Sequence, residues 1–216
     1  MNYVATEDQI VNIAQIIRRC PTITLTRALS RSYRDWAMQT QYLRVPIVGA
    51  TVADTRQYDL GSDPYVEIVA VYAVQVSVLS GTTTQYWPLA ASDSSLWNPN
   101  ISVQAQQPLR YCYVPQAQIA LDPIPDKVYD LLVSAIVQPK QGAAQIPEDG
   151  LVKYRSGIEA GAMAYLHRVP GQPWTDPNAA LMCQREFQSS VNNARAEVQR
   201  SFNTGSVRTR PRAFLR

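Results

Sequence analysis

Apolar residues near the start of the chain recur at helical spacing. Ile10, Ile13, Ala14 and Ile17 fall at intervals of three and four, so they share one face of a helix predicted over residues 7–19. Thr6 with Gln9 has the form of a capping box, and Cys20-Pro21 stops the helix. A second helix follows, capped by Thr22 or Thr24, with Leu25, Ala28, Leu29, Tyr33 and Trp36 on one stripe and Arg27, Arg31 and Arg34 pointing elsewhere. From about residue 41 to 140 the pattern changes. Segments 42–48, 55–60, 66–78, 85–89, 109–114, 118–121 and 128–137 are rich in Val, Ile, Tyr and Thr, and the turn-forming stretches GSDP, SGTT, NPN, VPQ and DPIPD separate them. Strands at this spacing predict an antiparallel sandwich or small barrel, with one helical turn at residues 92–97 inside a long connection.

Helical periodicity returns near Pro147. Ile158, Ala162, Tyr165 and Leu166 form one face, while Gly157, Ala160, Gly161 and Ala164 form a strip of small residues that lets another helix approach closely. This helix ends near Val169-Pro170-Gly171, and Thr175 or Asp176 before Pro177 has the order of a cap followed by proline at the first helical position. The last helix, about 25 residues long against an average of ~11 to 12, places Ala180, Phe187, Val191, Ala194, Val198 and Phe202 at near 3-4 spacing. Residues 203–216 break every pattern, and as a free segment they bury too little apolar surface to offset the entropy of ordering. The expected fold is α+β: a helical bundle from the N- and C-terminal helices, an inserted antiparallel β-sandwich or barrel, and an extended C-terminal arm. Its expected parts are a helical pair over 1–40, a β domain over 41–146, a second helical pair over 147–202 completing the bundle, and a basic arm over 203–216.

Composition narrows the function. The chain has 216 residues, 46% apolar and only 17% charged, so its surface is polar but sparsely charged, as suits a protein that covers much of itself with partners. No apolar run approaches the ~18 to 20 residues of a membrane span, and the opening MNYVATEDQI lacks the basic and apolar regions of a secretory leader; a soluble chain with no membrane partner is expected. A net charge of +3 disfavours a globally basic nucleic-acid binder. The charge is uneven, however: after Glu197, the last acid, come Arg200, Arg208, Arg210, Arg212 and Arg216. Cys20, Cys112 and Cys183 sit in no metal or redox spacing and read as reduced, mostly buried thiols.

No constellation for catalysis emerges. The single histidine, His167, lies at a helix end and reads as structural. Neither a GxxxxGK[ST] loop nor a GxGxxG after a strand is present. Asp122, Asp126 and Asp130 surround two prolines and read as turn-forming and solvated acids. Tyr86, Trp87, Tyr111 and Tyr113 lack interleaved cations and read as core or sheet-face residues rather than base-stacking platforms. Trp36 and Trp174 are expected to be packing anchors where helices meet, each indole finding a polar partner. Gly157 and Gly161 form a GxxxG that in a helix of mixed polarity reads as close helix packing. With Trp174, Phe187 and Val191 they are the candidate contacts between helices or between copies. No enzyme activity, cofactor or metal is expected.

The arm is what remains. In an extended conformation Arg208, Arg210 and Arg212 face one way, able to bind carboxylates in a partner's groove, with Phe214-Leu215 as an apolar plug and Arg216 at the end. A solubilising tail and nonspecific binding of nucleic-acid phosphates are the other readings.

The opening helices with Arg31-Ser32-Tyr33-Arg34-Asp35-Trp36, the turn-rich β middle and the closing helices resemble the head-to-tail adaptor proteins of tailed bacteriophages. The most specific likeness is the junction Pro170-Gly171-Gln172-Pro173-Trp174-Thr175-Asp176-Pro177, followed by Phe187 and Ala194-Arg195-Ala196. The resemblance implies a structural virion protein, assembled in the host cytoplasm as a homo-oligomeric ring, commonly of twelve copies. Such a ring lies under the portal at the capsid–tail junction, extends the channel through which DNA passes without sequence recognition, and offers a platform to a tail or nozzle protein. It also implies that the arm, Arg208, Arg210, Arg212, Phe214, Leu215 and Arg216, meets the portal. The alternatives are a nucleic-acid-binding module using the arm and a tail-completion or nozzle protein.

Overall fold

A computed structural model describes residues 1–80, 83–92, 105–114 and 117–202. The chain opens with a short strand, β1 (Tyr3–Ala5), a 3-10 turn (Thr6–Ile10), α1 (Val11–Ile16) and α2 (Thr22–Thr40). The β part holds β2 (Arg44–Ala50), β3 (Gln57–Asp59), β4 (Val66–Ser80), β5 (Thr83–Pro88), β6 (Ala90–Ala91), β7 (Arg110–Val114), β8 (Gln118–Asp122), β9 (Asp130–Pro139) and β10 (Gln145–Pro147). Two long helices close it, α3 (Asp149–His167) and α4 (Pro177–Phe202).

The α+β class holds, but the bundle with an inserted sandwich does not. The strands form three sheets: β2-β9-β4-β5, β3-β8-β7-β6 and the pair β1-β10. One contact, β6 with β7, is parallel, and β1 joins the first residues of the chain to the far end of the supposed insert, with Tyr3 opposite Pro147. The physical reason is that the helices have no separate core. Leu29, Tyr33, Trp36, Ile158 and Val191 belong to the same apolar cluster as Leu43, Val66, Ala135, Val137 and Ile146 of the β part. The helices bury their stripes against one another and against β9. A second cluster joins the two larger sheets through Val74, Val76, Leu131 and Val133 on one side and Tyr111, Ile119 and Leu121 on the other.

The expected capping box is also corrected. No side-chain cap forms; the Thr6 hydroxyl donates instead to the carbonyls of Ala143 and Ala144, at 3.0 and 3.1 Å, and Thr6 is wholly buried. A buried threonine satisfied by a neighbouring chain segment has nothing left for its own helix. Accordingly the first helix breaks into a 3-10 turn and a short α-helix that ends at Ile16; Ile10, Ile13 and Ile17 are buried, but Ala14 is exposed. Neither Thr22 nor Thr24 caps α2, which starts directly after Pro21. The helical turn expected at 92–97 lies outside the described residues, apart from Ser92.

The helix α2 is the central strut. Leu25, Ala28, Leu29, Tyr33 and Trp36 are all buried. The Ser32 hydroxyl donates to the Ile158 carbonyl at 2.6 Å, and the Tyr33 hydroxyl donates to that of Pro147 at 2.8 Å. Burial and the nearby Asp149 raise the Tyr33 phenol above its usual range, so it stays a neutral donor.

Candidate functional site

Residues 203–216 follow α4 in the sequence, so the fixing of α4 decides where they begin. The junction before α4 is closed by local hydrogen bonds. Thr175 Oγ1 donates to the Val169 carbonyl at 2.5 Å and accepts from Gln172 N–H at 3.1 Å. His167 Nδ1–H donates to the Trp174 carbonyl at 2.7 Å, which gives the lone histidine a structural task. Asp176 is the N-cap: its Oδ1 accepts from the Asn178 and Ala179 N–H groups at 2.9 and 3.1 Å, with Pro177 at the first helical position.

Along its length α4 lies against α3 at very close range. A Cβ built on Gly157 would stand 2.1 Å from Ser190 Cβ, and one on Gly161 would stand 2.3 Å from Ser32 Oγ and 2.5 Å from Phe187 Cδ2. Phe187 and Val191 are buried within the chain, and Trp174 is half-buried beside the same cluster. The small-residue face of α3 is therefore covered by α4 and α2 of its own chain. The Trp36 and Trp174 indole N–H groups are buried, so both rings pack, but neither finds among the described residues the polar partner expected of it.

Near its C-terminal end α4 is clasped. Glu197 accepts from Lys153 Nζ at 2.5 Å and from the Tyr154 hydroxyl, while Arg195 Nε donates to the Gln39 carbonyl at 2.8 Å. The hydrogen bond from Lys153, then that from Tyr154, lowers the Glu197 carboxyl below its usual range. A depressed carboxyl stabilises the fold above its unfolded value and loses that contribution as pH falls through the folded one. Acidifying through the carboxylate range, or substituting Glu197→Gln at constant pH, is expected to lower the protection factors of the last turns of α4 a few-fold once the intrinsic exchange rate at each pH is divided out, with those of α2 unchanged. Mass-detected hydrogen exchange checks this. Sequence reading missed the clasp because its members lie on three helices, far apart along the chain, and no local pattern links them.

The remaining candidates resolve into structure. Asp122 pairs with Arg110 at 3.1 Å and with Arg56 at 3.7 Å. Asp126 accepts from the Tyr129 hydroxyl at 2.6 Å; burial and this acid push that phenol up to about 12. The backbone N–H of Asp130 donates to Ser77 Oγ. Tyr111 is buried and Tyr113 half-buried, whereas Tyr86 and Trp87 on the edge strand β5 are 50% and 54% exposed. Of the cysteines, Cys112 is buried and Cys20 and Cys183 are half-buried. Among the described residues no cluster of three or more His, Cys, Asp or Glu side chains could hold a metal ion, and no helix is long and apolar enough to cross a membrane. Arg208, Arg210, Arg212, Phe214, Leu215 and Arg216 lie outside the described residues.

The family model for the SU10 adaptor protein, a phage head-to-tail adaptor family, matches residues 3–211. The chain belongs to that family. Its match takes in the three sheets and four helices of the described residues and runs on to Pro211. No curated protein matches the sequence. As an SU10 adaptor the chain is a structural component of a phage virion, in a family that is not an enzyme class.

Proposed function

We propose that this adaptor assembles as a closed head-to-tail ring, of twelve copies in the family's common arrangement, seated between portal and tail. The ring extends the channel through which DNA passes and gives a tail or nozzle protein its platform. The observation that carries the reading is membership of the adaptor family, with the match running into the arginine-rich arm. A heterologous ring needs two different patches on each subunit. Two candidates stand on the outer strands of one sheet: Val48 on β2, 76% exposed, and Trp87 on β5.

The arm, with Arg208, Arg210, Arg212 and Arg216 around Phe214-Leu215, docks on the portal and orders as it does so. Ordering on docking makes its affinity for isolated subunits low, which delays recruitment until the portal is in place. Deleting residues 204–216 is expected to leave the circular dichroism spectrum and melting temperature unchanged, because the Glu197 clasp precedes the cut, and to abolish attachment to portal-bearing capsids in a pull-down. Retained attachment overturns the arm's role. If the arm instead grips nucleic-acid phosphates, its affinity for duplex DNA falls steeply with salt, with a slope near the number of engaged arginines.

A further inference from the structure

A cleft of about 720 Å³ lies between α2, the turn after β9 and the C-terminal end of α3, away from the outer strands of the sheets. Three arginines of α2 line it: Arg27, Arg31 and Arg34. Spacings of four and three put them on one helix face. The opposite wall is Gln141-Gly142 and Tyr165.

Two of the three guanidiniums are already positioned. Arg31 lies over the Tyr165 ring, 4.0 Å from its centre, and also meets the Tyr165 hydroxyl. Arg34 is bound to Glu67 at 2.6 Å. Arg27 is exposed and has no hydrogen-bond or ion-pair partner among the described residues. Ser30, 4% exposed, lines the same cleft, and its buried hydroxyl has no partner either. Asp35 is the one acid of this lining, so with Arg34 neutralised by Glu67 the cleft keeps a positive surplus.

The geometry points to this cleft as the docking site for an acidic segment of a partner protein. A carboxylate entering it accepts hydrogen bonds from Arg27 and Arg31. A guanidinium stacked on a ring and held in one orientation loses less freedom on binding than a free surface arginine. Nucleic acid fits less well. The single aromatic face in the lining is covered by Arg31 and cannot stack a base, and the positive surplus is small, since Glu67 pairs with Arg34 and Asp35 stands in the lining. The arm is basic and the cleft takes an acid, so the two docking elements stand or fall separately.

The test uses the full chain and a fluorescein-labelled hexaglutamate peptide, followed by fluorescence anisotropy at low salt. The wild type is expected to bind. Arg27→Gln with Arg31→Gln should weaken binding by roughly tenfold or more, and Arg27→Gln alone by about threefold, while substituting Arg208, Arg210 and Arg212 by Gln changes it less than either. Hydrogen exchange should show protection by the peptide over residues 24–35 and 165–169. Arg27→Gln removes a side chain with no partner, so its effect is read without loss of the fold. Absence of binding, equal binding by the double variant, or protection confined to the arm overturns the proposal. So does duplex DNA binding more tightly than the peptide through the same arginines.

Discussion

Replacing Trp36 with alanine is expected to destabilise the protein by about 3–5 kcal/mol, a large share of the ~5–15 kcal/mol that holds a typical domain together. The indole is wholly buried and meets the rings of Tyr33, Tyr42 and Tyr154, with centroids 5.9, 5.5 and 5.3 Å away. These rings come from α2, the segment after it and α3, so the cavity opens where the two ends of the chain meet. Trp36→Phe should lose far less, because it keeps most of the contact area and removes an indole N–H that has no partner among the described residues. Urea denaturation followed by far-ultraviolet circular dichroism separates the two. Equal losses would mean that the ring's volume is not what matters.

Gly157→Ala carries the second large effect. In an isolated helix this change stabilises by ~1 kcal/mol, since glycine is the poorer helix former. Here the new methyl falls 2.1 Å from Ser190 Cβ, an atom tied to the backbone that cannot swing aside, so α4 must move off α3. Overpacking of that kind costs about 1–3 kcal/mol, and the proximity places this site at the upper end, for a net loss of about 2 kcal/mol. Adding Ser190→Gly removes the opposing Cβ and should recover much of the loss, despite the weaker helix propensity of glycine. A double variant no more stable than Gly157→Ala alone would refute the steric account.

Local patterns were legible, and long-range pairings were not. The α2 stripe from Leu25 to Trp36 is buried because a helix's period acts within the element itself. The cap at Asp176 and the junction before it follow from neighbouring residues alone. Thr6 fails for the opposite reason. Its pattern with Gln9 is right for a cap, but the carbonyls of Ala143 and Ala144 are brought against it by tertiary structure. The strands β1 and β10 have three residues each, too short to show alternation, and they find each other only across the whole β part. That pairing and the shared core are why the helices and sheets are one body of packing rather than a bundle with an insert. At the candidate site the sequence pointed to Gly157 and Gly161 as points of close approach, yet not to Glu197, whose partner Lys153 lies on the neighbouring helix.

The clasp at Arg195 and Glu197 also sets a geometric limit. Because it pins the last turns of α4, residues 203–216 start from a fixed origin, and their number alone sets a maximum reach. Fully drawn out at about 3.3–3.6 Å per residue, they sweep a radius of about 46–50 Å, so any surface gripped by the closing Phe214-Leu215 stands inside that sphere.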